Sequence, residues 1–304
     1  MRCGIPDKVG VIVEVVANVL PESWFKDILG QLYFRYIRAS VVGEVIEWSR
    51  FEDGMLHIKL NNGLEFYALP DTENAKWWRK YRKSQWTDKI AEFRIFRSTY
   101  RRILGQFVMN TYERNCQLQK GDTVIDAGAS WGFNTVDFSR KVGNKGRIVA
   151  IEPDERSLVI LRKNIELNGC KNVTIVKKGL WSEKGKMKLY LKELCAATSL
   201  VLPGGQASSK VTGTIQVEVD TLDSILEELK IDKVALLKLN IEGAEIEALK
   251  GIDRVISKND DIKVVLDSHH IVDGQPTYKT IIPMMEQMGF SSQFRRGTSY
   301  FAKR

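Results

Sequence analysis

With 304 residues, 43% of them hydrophobic, the chain is long enough to bury two unequal cores, and no apolar stretch reaches the ~20 residues that span a bilayer. The formal charge of +8 matches that of a single segment, residues 76–102, which holds ten Lys/Arg against Asp88 and Glu92, so the rest of the chain is close to neutral. Cys3, Cys116, Cys170 and Cys195 are scattered without a C-x-x-C pair, which reads as reduced, partly buried thiols rather than a disulfide framework or a metal centre.

The first apolar run, "VGVIVEVVANVL" (9–20), is interrupted by Glu14 and followed by no small-residue cleavage site. It reads as a core helix of a cytoplasmic protein rather than a leader. Helical periodicity continues through "WFKDILGQLYFRYI" (24–37). "MLHIKL" and "LEFYALP" flank Asn62-Gly63, a strong hairpin signal. His57, within that hairpin, is expected at the surface. The basic segment 76–102 follows, with Trp77, Trp78, Tyr81, Trp86, Phe93, Phe96 and Tyr100 interleaved among its cations. Three readings fit it: a nucleic-acid groove, an interfacial helix against anionic lipid, or an amphipathic linker helix with its rings turned inward.

From Gly121 the rhythm changes to strands alternating with helices. "DTVIDAG", "GRIVAIEP", "NVTIVKKG", "VALLKLN" and "DIKVVLDSH" read as buried strands, and "KMKLYL" as one more strand-like run. "GFNTVDFSRKVG", "ERSLVILRKNIELNG", "TLDSILEELK" with its threonine cap, "EIEALKGI" and "YKTIIPMMEQMG" read as helices. "FSSQF" and "SYFAKR" close the chain as an antiparallel pair. The pattern predicts an α/β fold with a Rossmann-like parallel sheet in residues 111–304, preceded by a smaller α+β segment in residues 1–110.

In such a sheet, ligands bind beyond the carboxyl ends of the strands. Asp126 ends the first strand, and Gly128 and Gly132 let the backbone turn tightly beside a ligand. Ser130 and Thr135 belong to the same candidate cofactor loop. Glu152 ends the second strand, where a carboxylate can accept hydrogen bonds from a ribose diol. The spacing D-x-G-x-x-x-G differs from the G-x-G-x-x-G of dinucleotide sites, and Asp126 would repel a pyrophosphate. An acid there suits the ammonium of a methionine moiety, so the pair Asp126 and Glu152 favours S-adenosylmethionine over a nicotinamide dinucleotide.

From Tyr112-Glu113 to about Phe290 the chain resembles the FkbM-type S-adenosylmethionine-dependent methyltransferases. The resemblance rests on "TYE", "GDTVIDAGASWGFNT", "VAIEPDERSLVILRKNIELNG", "VEVDTLDSIL" and "KLNIEGAEIEALKG". It implies a seven-stranded sheet whose last strand is antiparallel, and a cofactor site at Asp126, Gly128, Gly132 and Glu152, with Gly179 and Leu180 lining the adenine. It also implies O-methylation of a hydroxyl on a sugar, glycan, natural product or lipid. A variable segment ahead of "YE" is expected to cover the substrate side as a lid, or to form a homodimer contact. The basic balance suits an acidic acceptor.

The family pattern carries an aspartate where this chain has Asn240. An amide there can hydrogen-bond the methionine ammonium or an acceptor hydroxyl, but it cannot serve as a base or hold a divalent metal strongly, so no metal is expected. The candidate catalytic residues are Asn240, Glu242 and His269. Glu242 follows the fourth strand, with helix capping as its alternative role. His269 ends the fifth strand beside His270, with Asp267 to orient it. Three function classes follow: a small-molecule or glycan O-methyltransferase, an RNA methyltransferase using residues 76–102, and a non-catalytic module that binds S-adenosylmethionine.

Overall fold

The computed structural model describes residues 45–52, 55–69, 99, 102–108, 110–114, 116–192, 197–201 and 211–303. The expected helices at 9–20 and 24–37 lie outside these residues, as does the basic segment apart from Thr99 and Arg102.

The Asn62-Gly63 signal is realised as a turn in a three-stranded antiparallel sheet of β1 (Ile46–Glu52), β2 (Met55–Leu60) and β3 (Glu65–Ala68). Gly63 takes a φ of 85°, and the Asn62 side chain accepts from the Leu64 N–H at 3.1 Å. Leu56, Ile58, Leu60, Phe66 and Ala68 are fully buried. They form one apolar cluster with Ile103, Trp131, Phe133, Val136 and Ile160. His57 is not at the surface as expected. It is buried, stacks on Tyr67 with ring centroids 4.3 Å apart, and lies 2.9 Å from Glu65.

The strands and helices from Thr123 onward follow the predicted alternation. They are β4 (Thr123–Ala127), α1 (Phe133–Val142), β5 (Arg147–Ile151), α2 (Glu155–Leu167) and β6 (Val173–Val176). A small insertion sheet follows, made of β7 (Gly179–Leu180), β8 (Gly185–Lys192) and β9 (Val211–Asp220), in the order β7-β9-β8. Then come α3 (Leu222–Glu228), β10 (Leu236–Leu239), α4 (Glu245–Leu249), α5 (Asp253–Ser257) and β11 (Lys263–Asp267). The short pair β12 (Ile271–Val272) and β13 (Gln275–Pro276), α6 (Tyr278–Gln287), β14 (Phe290–Arg295) and β15 (Thr298–Lys303) complete the chain order. The predicted threonine cap of α3 is present: Thr221 Oγ1 accepts from the Ser224 N–H at 3.1 Å. The strand β9 was not expected. Its central residues are largely exposed, so its sequence lacks the continuous apolar run that marks the other strands.

The main sheet has the order β6-β5-β4-β10-β11-β15-β14. β4, β5, β6, β10 and β11 run parallel, and β15 pairs antiparallel with both β11 and β14. One face buries Ile125, Leu237, Leu239, Val264 and Leu266 against apolar side chains of α3–α6, such as Leu226, Leu249, Val255 and Ile281. The other buries Val124, Ile148, Leu236 and Val265 with Phe138 and Val142 of α1, and Ala150 with Leu158 and Leu161 of α2. Among the described residues, no helix is long and apolar enough to cross a membrane.

The hairpin is fastened to α2 by two asparagines one turn apart. The Asn164 side chain accepts from the Tyr67 N–H at 2.6 Å and donates to the carbonyls of Tyr67 at 3.0 Å and Trp131 at 2.8 Å. Asn168 does the same for Glu65, accepting its N–H at 3.0 Å and donating to its carbonyl at 2.6 Å. The i, i+4 spacing on the helix matches the period-2 spacing of same-facing groups on β3, so the amides pair the free edge of the strand as a neighbouring strand would. Replacing Asn164 by Ala removes its bonds to three backbone groups, the N–H and carbonyl of Tyr67 and the carbonyl of Trp131. We expect a loss of about 2–3 kcal/mol in urea unfolding; a loss below about 0.5 kcal/mol, the range of ordinary surface substitutions, would contradict this account of the docking.

Candidate active site

The chain leaves β4 toward β5 on one side and returns through β10 on the other, so the carboxyl ends of β4, β5 and β10 surround a topological switch point. A cleft of about 500 Å³, counted out to bulk solvent, opens there. Of the residues singled out from sequence, Gly128, Ser130, Glu152, Gly179, Leu180, Asn240 and Glu242 line it. Asp126, Gly132, Thr135 and His269 do not.

Asp126 is fully buried, and both of its oxygens are engaged within the protein. Thr135 Oγ1 donates to Oδ2 at 2.6 Å, and Lys238 Nζ donates to Oδ1 at 2.8 Å. The expectation that Asp126 meets the methionine ammonium is therefore corrected: the cation that it faces is Lys238. The two residues are register partners on neighbouring parallel strands, so their side chains leave the same face of the sheet side by side. Lys238 Nζ also donates to the carbonyls of Ala127 at 3.1 Å and Gly128 at 2.9 Å, which satisfies all three of its protons. Lys238 was missed in the sequence. Its signal was a lone charge in "LLKL", a strand buried at every position. Thr135, at the start of α1, serves the same carboxylate rather than the cleft.

The loop that follows depends on its glycines. Gly128 has a φ of 73°, and a Cβ there would lie 1.9 Å from the Asn240 carbonyl oxygen. Gly132 has a φ of 84°, and its Cβ would lie 2.5 Å from Leu161 Cδ1. Neither position admits another residue without displacing its neighbour. Ser130, also at positive φ, donates its N–H to Glu152 Oε2 at 2.8 Å. Glu152 Oε1 accepts the Asp154 N–H at 3.0 Å. Burial pushes the Glu152 carboxyl up to about 7 despite these two bonds. Arg102, the one described cation of the basic segment, donates to Ser130 Oγ at 3.2 Å and lies 5.3 Å from the Trp131 ring centroid.

Beyond β10, the Asn240 amide nitrogen donates to the Tyr112 hydroxyl at 3.2 Å, and Asn240 Oδ1 is buried without a partner. The loop 241–243 is capped by Glu245, which accepts the N–H groups of Ile241 at 2.9 Å and Gly243 at 3.0 Å. The capping role considered for Glu242 thus belongs to Glu245. Glu242, at a φ of 56°, keeps its carboxylate in the cleft, and burial pushes its pKa up. His269 is exposed and packs against Gly297, which corrects its assignment as base. The histidine that reaches the site is His270, 3.2 Å from Glu245 Oε1 and 3.9 Å from Glu242 Oε1. These carboxylates raise its pKa to about 9 against the opposing effect of burial. Asp267 orients Tyr112 rather than His269: it accepts from the Tyr112 hydroxyl at 2.8 Å. Among the described residues, no cluster of His, Cys, Asp or Glu has a metal-binding arrangement. The described cysteines, Cys116 and Cys170, are free and half-buried, with thiol pKa values pushed up by burial.

Known proteins resemble the chain along this same stretch. The family model described as "Methyltransferase FkbM domain" matches residues 125–292, and that of the protein-L-isoaspartate(D-aspartate) O-methyltransferases matches residues 66–181. Methyltransferase 1 of Beauveria bassiana is 25% identical over 188 residues, 57% of this chain and 74% of that protein. The 2-O-methyltransferase NoeI of Sinorhizobium fredii is 22% identical over 192 residues, 59% of this chain and 78% of that protein. The solved FkbM methyltransferase of Methylobacillus flagellatus aligns with a TM-score of 0.44 at 16% identity, covering 75% of this chain and 59% of that one. The chain belongs to the FkbM family of S-adenosylmethionine-dependent methyltransferases.

Removing the Lys238 ammonium would leave Asp126 charged, buried and bonded only to Thr135. We expect Lys238→Met to cost about 3–5 kcal/mol in denaturant unfolding, and Asp126→Asn in the same chain to recover part of that loss. A Lys238→Met variant as stable as the parent would contradict the assignment.

Proposed function

We propose that this chain transfers a methyl group from S-adenosylmethionine to a hydroxyl oxygen of a sugar, glycan, lipid or small-molecule acceptor, with Glu242 as the proton acceptor. The observation that carries the reading is the state of Glu242: a carboxylate that lines the cleft beside Asn240, is released from capping by Glu245, and is made more basic by burial. A base with a pKa drawn toward neutrality suits removal of a hydroxyl proton and contributes roughly 10²–10⁴-fold. The relative NoeI, named as a 2-O-methyltransferase, agrees with a hydroxyl acceptor.

The cleft residues fit the cofactor. Glu152 offers carboxylate oxygens at the end of β5 for the ribose hydroxyls, and the unpartnered Asn240 Oδ1 offers an acceptor for the methionine ammonium. Gly179 and Leu180 supply backbone and apolar surface for the base. When bound, S-adenosylmethionine supplies a methyl group on a positively charged sulfur, ready for in-line displacement. The chain's own residues orient the acceptor, shield the cleft and take the proton on the Glu242 carboxylate. His270, cationic at neutral pH, balances the negative charge of Glu242 and Glu245.

An acidic acceptor is part of the proposal. The positive charges of His270, Lys192 and Arg102 each act to lower the pKa of Glu242, against the larger effect of burial. Neither Lys192 nor Arg102 has an ion-pair partner among the described residues. The division into residues 1–110 and 111–304 is carried with the same proposal, with the hairpin as a docked wall behind Trp131 rather than a moving lid.

Two measurements test this reading. A panel of hydroxylated acceptors with labelled S-adenosylmethionine should give methyl ether product, and Glu242→Gln should lower kcat at least about 100-fold while leaving the affinity for S-adenosylhomocysteine unchanged. Full turnover by Glu242→Gln would remove it as base. Glu152 adds a pH signature. Its folded pKa of about 7 lies above the ordinary 4.5, so the free protein holds the proton below neutrality and loses stability as pH rises from 4.5 to about 7, with no further loss above that. The ionised form accepts from both ribose hydroxyls. Affinity for S-adenosylhomocysteine should therefore rise about 3–10-fold between about pH 6 and 8, and the rise should vanish in Glu152→Gln. A flat profile in the parent chain would sink the ribose assignment.

A further inference from the structure

We propose that Tyr112 and Asp267 form a positioning pair that fixes which end of the Asn240 amide faces the cofactor cleft. The two ends of a carboxamide have nearly the same shape and opposite hydrogen-bonding character, so a site that needs an acceptor must hold the amide one way round. The choice is made one layer behind the cleft.

The phenol of Tyr112 has one proton and two lone pairs. That proton goes to Asp267 Oδ2, 2.8 Å away. The other Asp267 oxygen accepts from Thr298 Oγ1 at 3.0 Å, and this anchors the carboxylate to β15. With its proton committed, the phenol oxygen can only accept, and Asn240 Nδ2 donates to it at 3.2 Å. Asn240 Oδ1 is thereby turned the other way, buried and without a partner among the described residues. The reversed amide would set its carbonyl oxygen against the lone pairs of Tyr112. Burial and the neighbouring Asp267 hold the Tyr112 pKa well above its ordinary value, so the phenol stays a donor throughout the physiological range.

The same arrangement accounts for the amide itself. An aspartate at position 240, as in the family pattern, would place a second carboxylate across one phenol from Asp267, with a single proton between them. Asn240 removes that charge and supplies the donor that the phenol oxygen needs. Tyr112 comes from "TYE", 128 residues before Asn240 and 155 before Asp267, and its ring also lies 5.4 Å from the Lys238 ammonium. The pair therefore joins the segment ahead of the sheet to the ends of β10 and β11.

The inference rests on the reading of this cleft as the cofactor site, and S-adenosylhomocysteine is the probe because it needs no acceptor. Its affinity would be measured by calorimetry on the full chain carrying Tyr112→Phe, Asp267→Asn and Asn240→Ala, alone and combined. Tyr112→Phe and Asp267→Asn should each weaken binding about 3–10-fold, and neither should weaken it further in the Asn240→Ala background. A purely structural role for Tyr112 predicts additive losses instead. Additive losses, or parental affinity in both single variants, would overturn the positioning pair and leave the cofactor site standing. If Tyr112→Phe does not fold, the near-isosteric Asp267→Asn carries the same cycle. No binding by the unsubstituted chain would overturn the cofactor reading and this inference with it.

Discussion

The buried ion pair between Lys238 and Asp126 is the constraint from which the rest of the site is measured. Taking two charges out of water is costly, and the pair is sustained because all three Lys238 protons and both Asp126 oxygens are engaged. Strand register makes it possible: residues opposite one another in parallel β4 and β10 present side chains to the same face, and Ala150 on β5 leaves room beside Asp126. The remaining Lys238 protons hold the carbonyls of Ala127 and Gly128, so the strand end and the start of the glycine loop are tied to β10. That tie brings the Gly128 backbone against the Asn240 carbonyl, at an approach closer than any side chain permits.

Polar groups around the cleft divide into those the fold has used and those it has left open. Asp126, Thr135 and Glu245 are spent on structure: the first two on the ion pair, the last on the amides of loop 241–243. Glu152, which accepts the N–H groups of Ser130 and Asp154, and Glu242 line the cleft with pKa values raised by desolvation, and Asn240 Oδ1 has no partner among the described residues. A buried acceptor left without a donor is costly to a protein on its own, and this cleft groups it with two desolvated carboxylates. Lys178, which lines the cleft, is already held by Asp220 at 2.9 Å and Glu228 at 3.0 Å.

The N-terminal hairpin is part of the same construction. Trp131, inside the glycine loop, is fully buried among hairpin side chains, and its carbonyl is held by Asn164. The face of the loop turned away from the cleft is therefore supported by residues from before position 70. "TYE" does similar work on the other side: Tyr112 reaches Asn240 and Asp267, while Glu113 pairs with Lys141 on α1.

Much of this was legible in the sequence. Strand and helix periods, the Asn62-Gly63 turn, the Thr221 cap and the acid-glycine spacing each depend on neighbours within a few residues, and the fold class followed from their alternation. The sequence by itself determined that a parallel sheet would carry a glycine loop and an acid at its second strand end. Only the tertiary structure decided which charges face the ligand. Asp126 turned to Lys238, His270 rather than His269 reached Glu242, and Glu245 rather than Glu242 capped the loop. Register between strands distant in the sequence set the first of these and the packing of loops at the strand ends set the other two, and no local period encodes either.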